Sequence, residues 1–109
     1  SASKAETMTY DQIRQARWQK TYTPLGMERE VTIRDWNGPV GPLFTQLEKI
    51  TNYKIVVLND APAYGNFVSI NAIKEPAINV IRKINADLQD RIKIDILEDE
   101  KIIEVTYVK

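Results

Sequence analysis

The chain contains no histidine and no cysteine. The first absence removes the one side chain that ordinarily titrates near neutrality, and with it the commonest general base. The second removes every thiol nucleophile and, with histidine gone too, the usual zinc ligands. It also leaves the redox compartment open, because a chain without cysteine is compatible with either side of a membrane. Serine occurs only as Ser1, Ser3 and Ser69, and the 4 glycines form no phosphate-cradling loop. No apolar run approaches the roughly 18 residues of a membrane-spanning helix. Net charge is missing as well: 15 basic and 15 acidic residues balance, so there is no field to gather phosphates and no nucleic-acid partner is expected. Together these gaps point away from an enzyme and predict no catalytic residue, no metal site and no cofactor.

What is present suits one modest domain: 109 residues, 43% of them hydrophobic. Residues 1–29 are polar with scattered hydrophobics and read as a flexible N-terminal arm. Within it Thr9-Tyr10-Asp11-Gln12 has the form of a capping box, with Thr9 as N-cap and Gln12 at the third helical position. Ile13, Ala16 and Trp18 then make a thin apolar stripe on a short helix over 9–20. Such an arm is either a surface helix, marginal alone, or a segment that orders on a neighbouring subunit.

The compact domain is predicted over 30–109. Val31 and Ile33 share one face of a strand ending at Trp36, and Gly38 and Pro39 form a turn in which Gly38 supplies a permissive conformation. Pro42 suits a first helical turn, and Val40, Leu43, Phe44, Leu47 and Ile50 line one face of the helix that follows. Residues 53–58 have almost no polar interruption, which predicts a central strand. After a turn-rich loop, residues 67–72 alternate as a third strand. Pro76 opens another helix, with Ala77, Ile78, Ile81, Ile84 and Leu88 on one face and Val80 alongside. Ile92, Ile94 and Ile96 alternate with Lys93 and Asp95, Glu98-Asp99-Glu100-Lys101 forms a charged turn, and 102–108 returns as a hairpin partner. The order β-α-β-β-α-β-β predicts an α+β fold whose two helices lie between a two-stranded and a three-stranded sheet.

Asp35-Trp36-Asn37-Gly38-Pro39, taken with Asn52-Tyr53-Lys54, resembles the DotD/TraH family of small outer-membrane lipoproteins of type IVB secretion and related conjugation systems. The likeness covers about 35–108. It is carried by Trp36, Gly38 and Pro39, by Tyr53, by Ala61 and Pro62, and by Ile103, Glu104, Val105 and Tyr107 at the close. The stretch from Asn79 to Arg91 departs from it by carrying more charge. The resemblance implies the secretin N0-like architecture, shared with the short N-terminal signalling domain of TonB-dependent receptors. It implies a place on the periplasmic face of the outer membrane, reached through a lipid anchor that this chain does not carry. It further implies a non-catalytic building block, packed as repeated copies in a ring-shaped core complex with other lipoproteins and a secretin-like partner. A second reading keeps the fold but makes it a periplasmic signalling or recognition module binding one protein partner transiently; a lipidated, extended tether favours the first.

The candidate interface residues are Trp36, Tyr64, Phe67, Glu104 and Thr106. Trp36 is either a core anchor or part of an interface. Tyr64 and Phe67 flank Gly65-Asn66, where exposed aromatics suit a subunit contact, although Phe67 can equally enter the core. The last strand, with Glu104 as its one internal charge, is expected to offer an unpaired edge for strand addition. On that expectation Thr106→Pro would abolish assembly and spare the fold. The acidic run 98–100 lacks the spaced ligands and the glycine of a calcium loop, and Asp87 and Asp90 build no cleft for a carboxylate pair; both read as solvated faces.

Overall fold

The structure, a computed structural model, describes residues 9–62 and 65–108, without the side chains of Asp11 and Arg14. The elements are α1 (Tyr10–Trp18), β1 (Glu30–Pro39), α2 (Gly41–Thr51), β2 (Lys54–Val57), β3 (Phe67–Pro76), α3 (Ala77–Asp87), β4 (Ile92–Leu97) and β5 (Ile102–Tyr107). The fold is α+β. Helices α2 and α3 lie between a two-stranded sheet, β1 against β3, and a three-stranded sheet ordered β2-β5-β4. Each of these helices carries the chain from one sheet to the other, so neither joins neighbouring strands of one sheet.

The core follows the periodicities of the sequence. Leu43, Phe44 and Leu47 of α2 and Ala77, Ile78, Val80, Ile81 and Ile84 of α3 are buried at three- and four-residue spacing. They meet Val68, Ile70 and Ala72 of β3, Ile92, Ile94 and Ile96 of β4, and Ile103 and Val105 of β5, all buried at a spacing of two. Each large aliphatic side chain removed from water contributes about 1.5–3 kcal/mol. Helix α2 has a proline in its first turn and ends at Asn52, whose φ of 62° is the left-handed conformation of a helix C-cap.

The structure departs from the expected strand plan in four places. Strand β3, expected over 67–72, runs on to Pro76. Strand β1 does not stop at Trp36 but runs to Pro39, and Gly38 pairs with Val68. Strand β2, expected at the centre of its sheet because it is so apolar, lies at an edge. Strand β5, expected to have a free edge, is the central strand, parallel to β2 on one side and antiparallel to β4 on the other.

The expected division at residue 30 is not a packing boundary. Helix α1 has the predicted capping box: Gln12 N donates to Thr9 Oγ1 at 3.1 Å and Thr9 N to Gln12 Oε1 at 2.9 Å. Ala16 is exposed, but Trp18 and Met27 are 1% and 0% exposed and belong to the same core as α2 and α3. The polar groups of residues 18–29 explain why. Pro76 provides no side-chain cap for α3; instead Ala77 N and Ile78 N donate to the carbonyls of Arg29 (2.8 Å) and Met27 (3.0 Å), filling positions that a helix start otherwise leaves open. Arg82 of α3 donates through Nε to Trp18 O at 2.7 Å and through Nη2 to Tyr22 O at 2.8 Å. Glu98, in the turn after β4, accepts from Tyr22 Oη at 2.5 Å and from Leu25 N at 3.0 Å.

Candidate protein interface

Trp36 and Phe67 lie on opposite faces of the two-stranded sheet. The register of β1 shifts between Val31 and Ile33 and again between Ile33 and Trp36, and Asp35 lies between with a φ of 47°. Such irregularities re-aim the side chains beyond them. Past the second shift Trp36 pairs with Ile70, Asn37 with Ser69, Gly38 with Val68 and Pro39 with Phe67. Paired residues share a face, so Trp36 and Gly38 face inward with buried Ile70 and Val68, while Asn37 and Pro39 face outward with Ser69 and Phe67.

Trp36 is partly buried against the core, and its indole N–H donates to Pro39 O at 3.1 Å. Its ring lies over Gly38, where a Cβ would fall 3.5 Å from the indole. Gly38 is therefore a flat seat for the tryptophan within a strand, not a turn residue; only Gly26 among the described glycines has a positive φ. Phe67 is 64% exposed and does not enter the core. It stands beside Pro39 and Gly65: a Cβ on Gly65 would lie 3.3 Å from Pro39 Cβ and 3.4 Å from Phe67 Cε1. Ser69 Oγ donates to Asn37 Oδ1 at 2.6 Å on the same outer face. Asn66 anchors the loop, its carbonyl accepting from Val40 N at 2.9 Å. Tyr64 lies outside the described residues.

Glu104 and Thr106 do not serve in the way expected. Glu104 pairs with Val56 on one side and Asp95 on the other, and Thr106 pairs with Lys93. Strand addition at β5 is thereby excluded, and Thr106→Pro would strike a ladder in the middle of a sheet, where proline is not tolerated.

A second surface was missed by sequence reasoning. Val57 and Leu58 are 47% and 54% exposed where the parallel strands β2 and β5 end. Asn59 clasps that end: its Nδ2 donates to Tyr107 O at 2.6 Å, and its Oδ1 accepts from Tyr107 N at 2.8 Å. Beside it Phe44, Ile55, Val57 and Tyr107 line a groove of about 280 Å³. The signal was in the sequence: the apolar run of residues 55–58, read as a buried centre, also fits an edge strand with surplus apolar surface.

Among the described residues no group of three or more acidic side chains is placed to hold a metal. The Tyr53 phenol is pushed well up, first by burial and then by Glu98. Its hydroxyl donates to Leu25 O at 2.7 Å, and Lys101 Nζ stands 4.9 Å over its ring. Those contacts tie residues 25 and 26 to the domain.

Among the described residues no helix is long and apolar enough to cross a membrane. Compared with known families, residues 2–107 match the model of the DotD protein family. No curated protein matches the chain.

Proposed function

The chain belongs to the DotD family, a family of outer-membrane-associated components of type IV secretion, and from that premise we propose that it is a structural subunit of the outer-membrane core complex of such an apparatus. It assembles through protein–protein contacts of an N0-like domain and catalyses nothing. The observation that carries this reading is the extent of the match, which runs from residue 2 to residue 107 and so takes in α1, both sheets and both sandwiched helices. The partners are other outer-membrane subunits of the complex, lipoproteins and a secretin-like component among them, with this chain repeated around a ring. Its place is the periplasmic face of the outer membrane, held by a lipid anchor on the full-length protein. Two exposed apolar surfaces on one small domain support the role, because contiguous apolar surface on a folded protein marks contact sites. Phe67 beside Pro39 is one; Val57 and Leu58 at the end of β2 are the other.

The test is co-elution with core-complex subunits of the same system, followed by size-exclusion chromatography with light scattering. A stable complex is expected. Phe67→Ser should weaken it at least about tenfold, as loss of an interface anchor does, and leave the thermal midpoint of the free domain unchanged because Phe67 lies outside the core. Failure of both this domain and its lipidated full-length form to join any complex would overturn the reading.

A further inference from the structure

Strand β2 is an edge of its sheet, and its main chain is open at one residue. Lys54 N donates to Lys101 O at 2.8 Å and Leu58 N to Val105 O at 2.9 Å. The main-chain groups of Lys54, Val56 and Leu58 therefore turn toward β5, and those of Ile55 and Val57 face away from it. At Ile55 the outward N–H is taken by the Glu48 carboxylate at 2.7 Å. At Val57 the outward N–H and C=O have no partner among the described residues, and the residue is 47% exposed.

The side chains of Ile55 and Val57 face α2, because they pair with the buried Ile103 and Val105. Between strand and helix runs the groove of about 280 Å³. Only Asn52 and Tyr53 separate α2 from β2, so β2 turns back along the helix, with Ile55 beside Glu48 and Val57 toward Gly41. The Val57 end is apolar. It is walled by buried Phe44, by half-buried Tyr107 and by Gly41, where a Cβ would meet nothing within 4 Å. At the Ile55 end stands half-buried Glu48, the one charged residue among the described residues that line the groove. One of its carboxylate oxygens holds Ile55 N; the other has no hydrogen bond among the described residues. Lys54 lies on the opposite face of β2 with Ile102 and does not line the groove. An apolar slot that ends in a carboxylate is complemented by an apolar side chain followed by a cation.

We propose that the β2 edge is a docking site for an extended segment of a partner protein that carries an apolar residue and, two positions away, a lysine or arginine. The segment bonds to the main-chain groups of Val57. Its apolar side chain, opposite Val57, enters the groove, and its cation, opposite Ile55, meets the free oxygen of Glu48. A second copy does not fit this description. In a two-fold pairing of two β2 edges, residues of like orientation stand opposite each other, so Ile55 would face Ile55, Val57 or Asn59 of the other copy. None of these carries a charge, and Glu48 would stay unanswered. The inference deepens the assembly reading by naming the chemistry of the partner at this end of β2, and it rests on that reading for the source of the segment.

The probe is a capped peptide of sequence lysine–threonine–leucine–threonine–lysine, which presents the pair in both chain directions. It is titrated into the ¹⁵N-labelled chain and followed by amide shifts and hydrogen exchange. Shifts over residues 54–58 are expected, with slowed exchange of the Val57 amide. Glu48→Gln keeps an acceptor for Ile55 N and removes the charge; it should weaken binding about fivefold, the upper range for an ion pair open to solvent. A peptide with glutamine in place of both lysines should lose the same factor and be indifferent to Glu48→Gln, because the two changes remove one contact. Thr45 is exposed on α2 and lines the groove, so Thr45→Tyr should leave the thermal midpoint near the parent's, close the groove and cost at least about tenfold in affinity, the scale of one lost apolar side chain. Absence of binding, equal binding of both peptides to Glu48→Gln and to the parent, full binding to Thr45→Tyr, or shifts that map away from β2 would each overturn the proposal. A chain that joins core-complex subunits yet binds no peptide defeats this inference alone; a chain that binds the peptide and joins no complex defeats the assembly reading alone.

Discussion

Tyr53 shows how much a single position can carry in this chain. The sequence offers it as the first residue of an apolar run and as part of the Asn52-Tyr53-Lys54 likeness; the structure makes it the peg that holds residues 25 and 26. Burial and Glu98 raise its phenol above the usual value of about 10, so folding favours the neutral form. The stability this provides is complete below pH 10 and is lost as pH rises above it, because the unfolded chain then releases the proton first. Tyr53→Phe should therefore cost about 1 kcal/mol at pH 7, the net worth of one hydrogen bond, and flatten the decline above pH 10; urea titrations at both pH values check this. Gly26 is the companion position. Its φ of 91° is a backbone conformation that residues with a side chain rarely adopt. Gly26→Ala should lower the unfolding free energy by about 1–2 kcal/mol. Neither role was legible locally, since both depend on a contact with a distant element.

At the scale of elements, residues 9–29 and strand β5 carry the main revisions. The capping box was readable because its residues lie three apart in sequence, and the structure has both of its hydrogen bonds. The burial of Trp18 and Met27 was not readable, because their neighbours α2 and α3 lie far along the chain. Trp18→Ala should cost about 3–5 kcal/mol by thermal or urea unfolding, and residues 30–109 alone should fail to give a cooperative transition. An arm independent of the core would leave both measurements close to the parent. Strand β5 makes the opposite point. Its hydrophobic pattern correctly predicted a strand with Ile103 and Val105 inward, yet nothing in that pattern distinguishes an edge from a centre. With both sides paired, Thr106→Pro is expected to abolish folding, seen as loss of the near-ultraviolet dichroism of the free domain.

For the molecule as a whole, assembly and aggregation are governed by the same exposed features. Two sheets enclosing two helices hide the apolar faces of both helices, but leave a strand edge at β2 with exposed Val57 and Leu58 at its end. Glu48 guards the β2 edge by occupying Ile55 N–H. Glu48→Ala should free that edge beside its apolar cluster and produce concentration-dependent self-association by light scattering, with little change in helix content. A variant that stays monomeric at concentrations where the parent is monomeric would show that the carboxylate guards nothing.

The sequence by itself determined the order of helices and strands, the buried face of both sandwiched helices, and that neither histidine nor cysteine chemistry is available. Those are local properties: a period of two or of about 3.6 reports burial through neighbours a few residues away. Only the tertiary structure decided that β5 is central and β2 an edge, that Gly38 seats a tryptophan, that Phe67 stays in solvent, and that residues 18–29 close the core. Each of these depends on which distant segments pair or pack, and periodicity along the chain is the same whichever neighbour a strand or helix acquires.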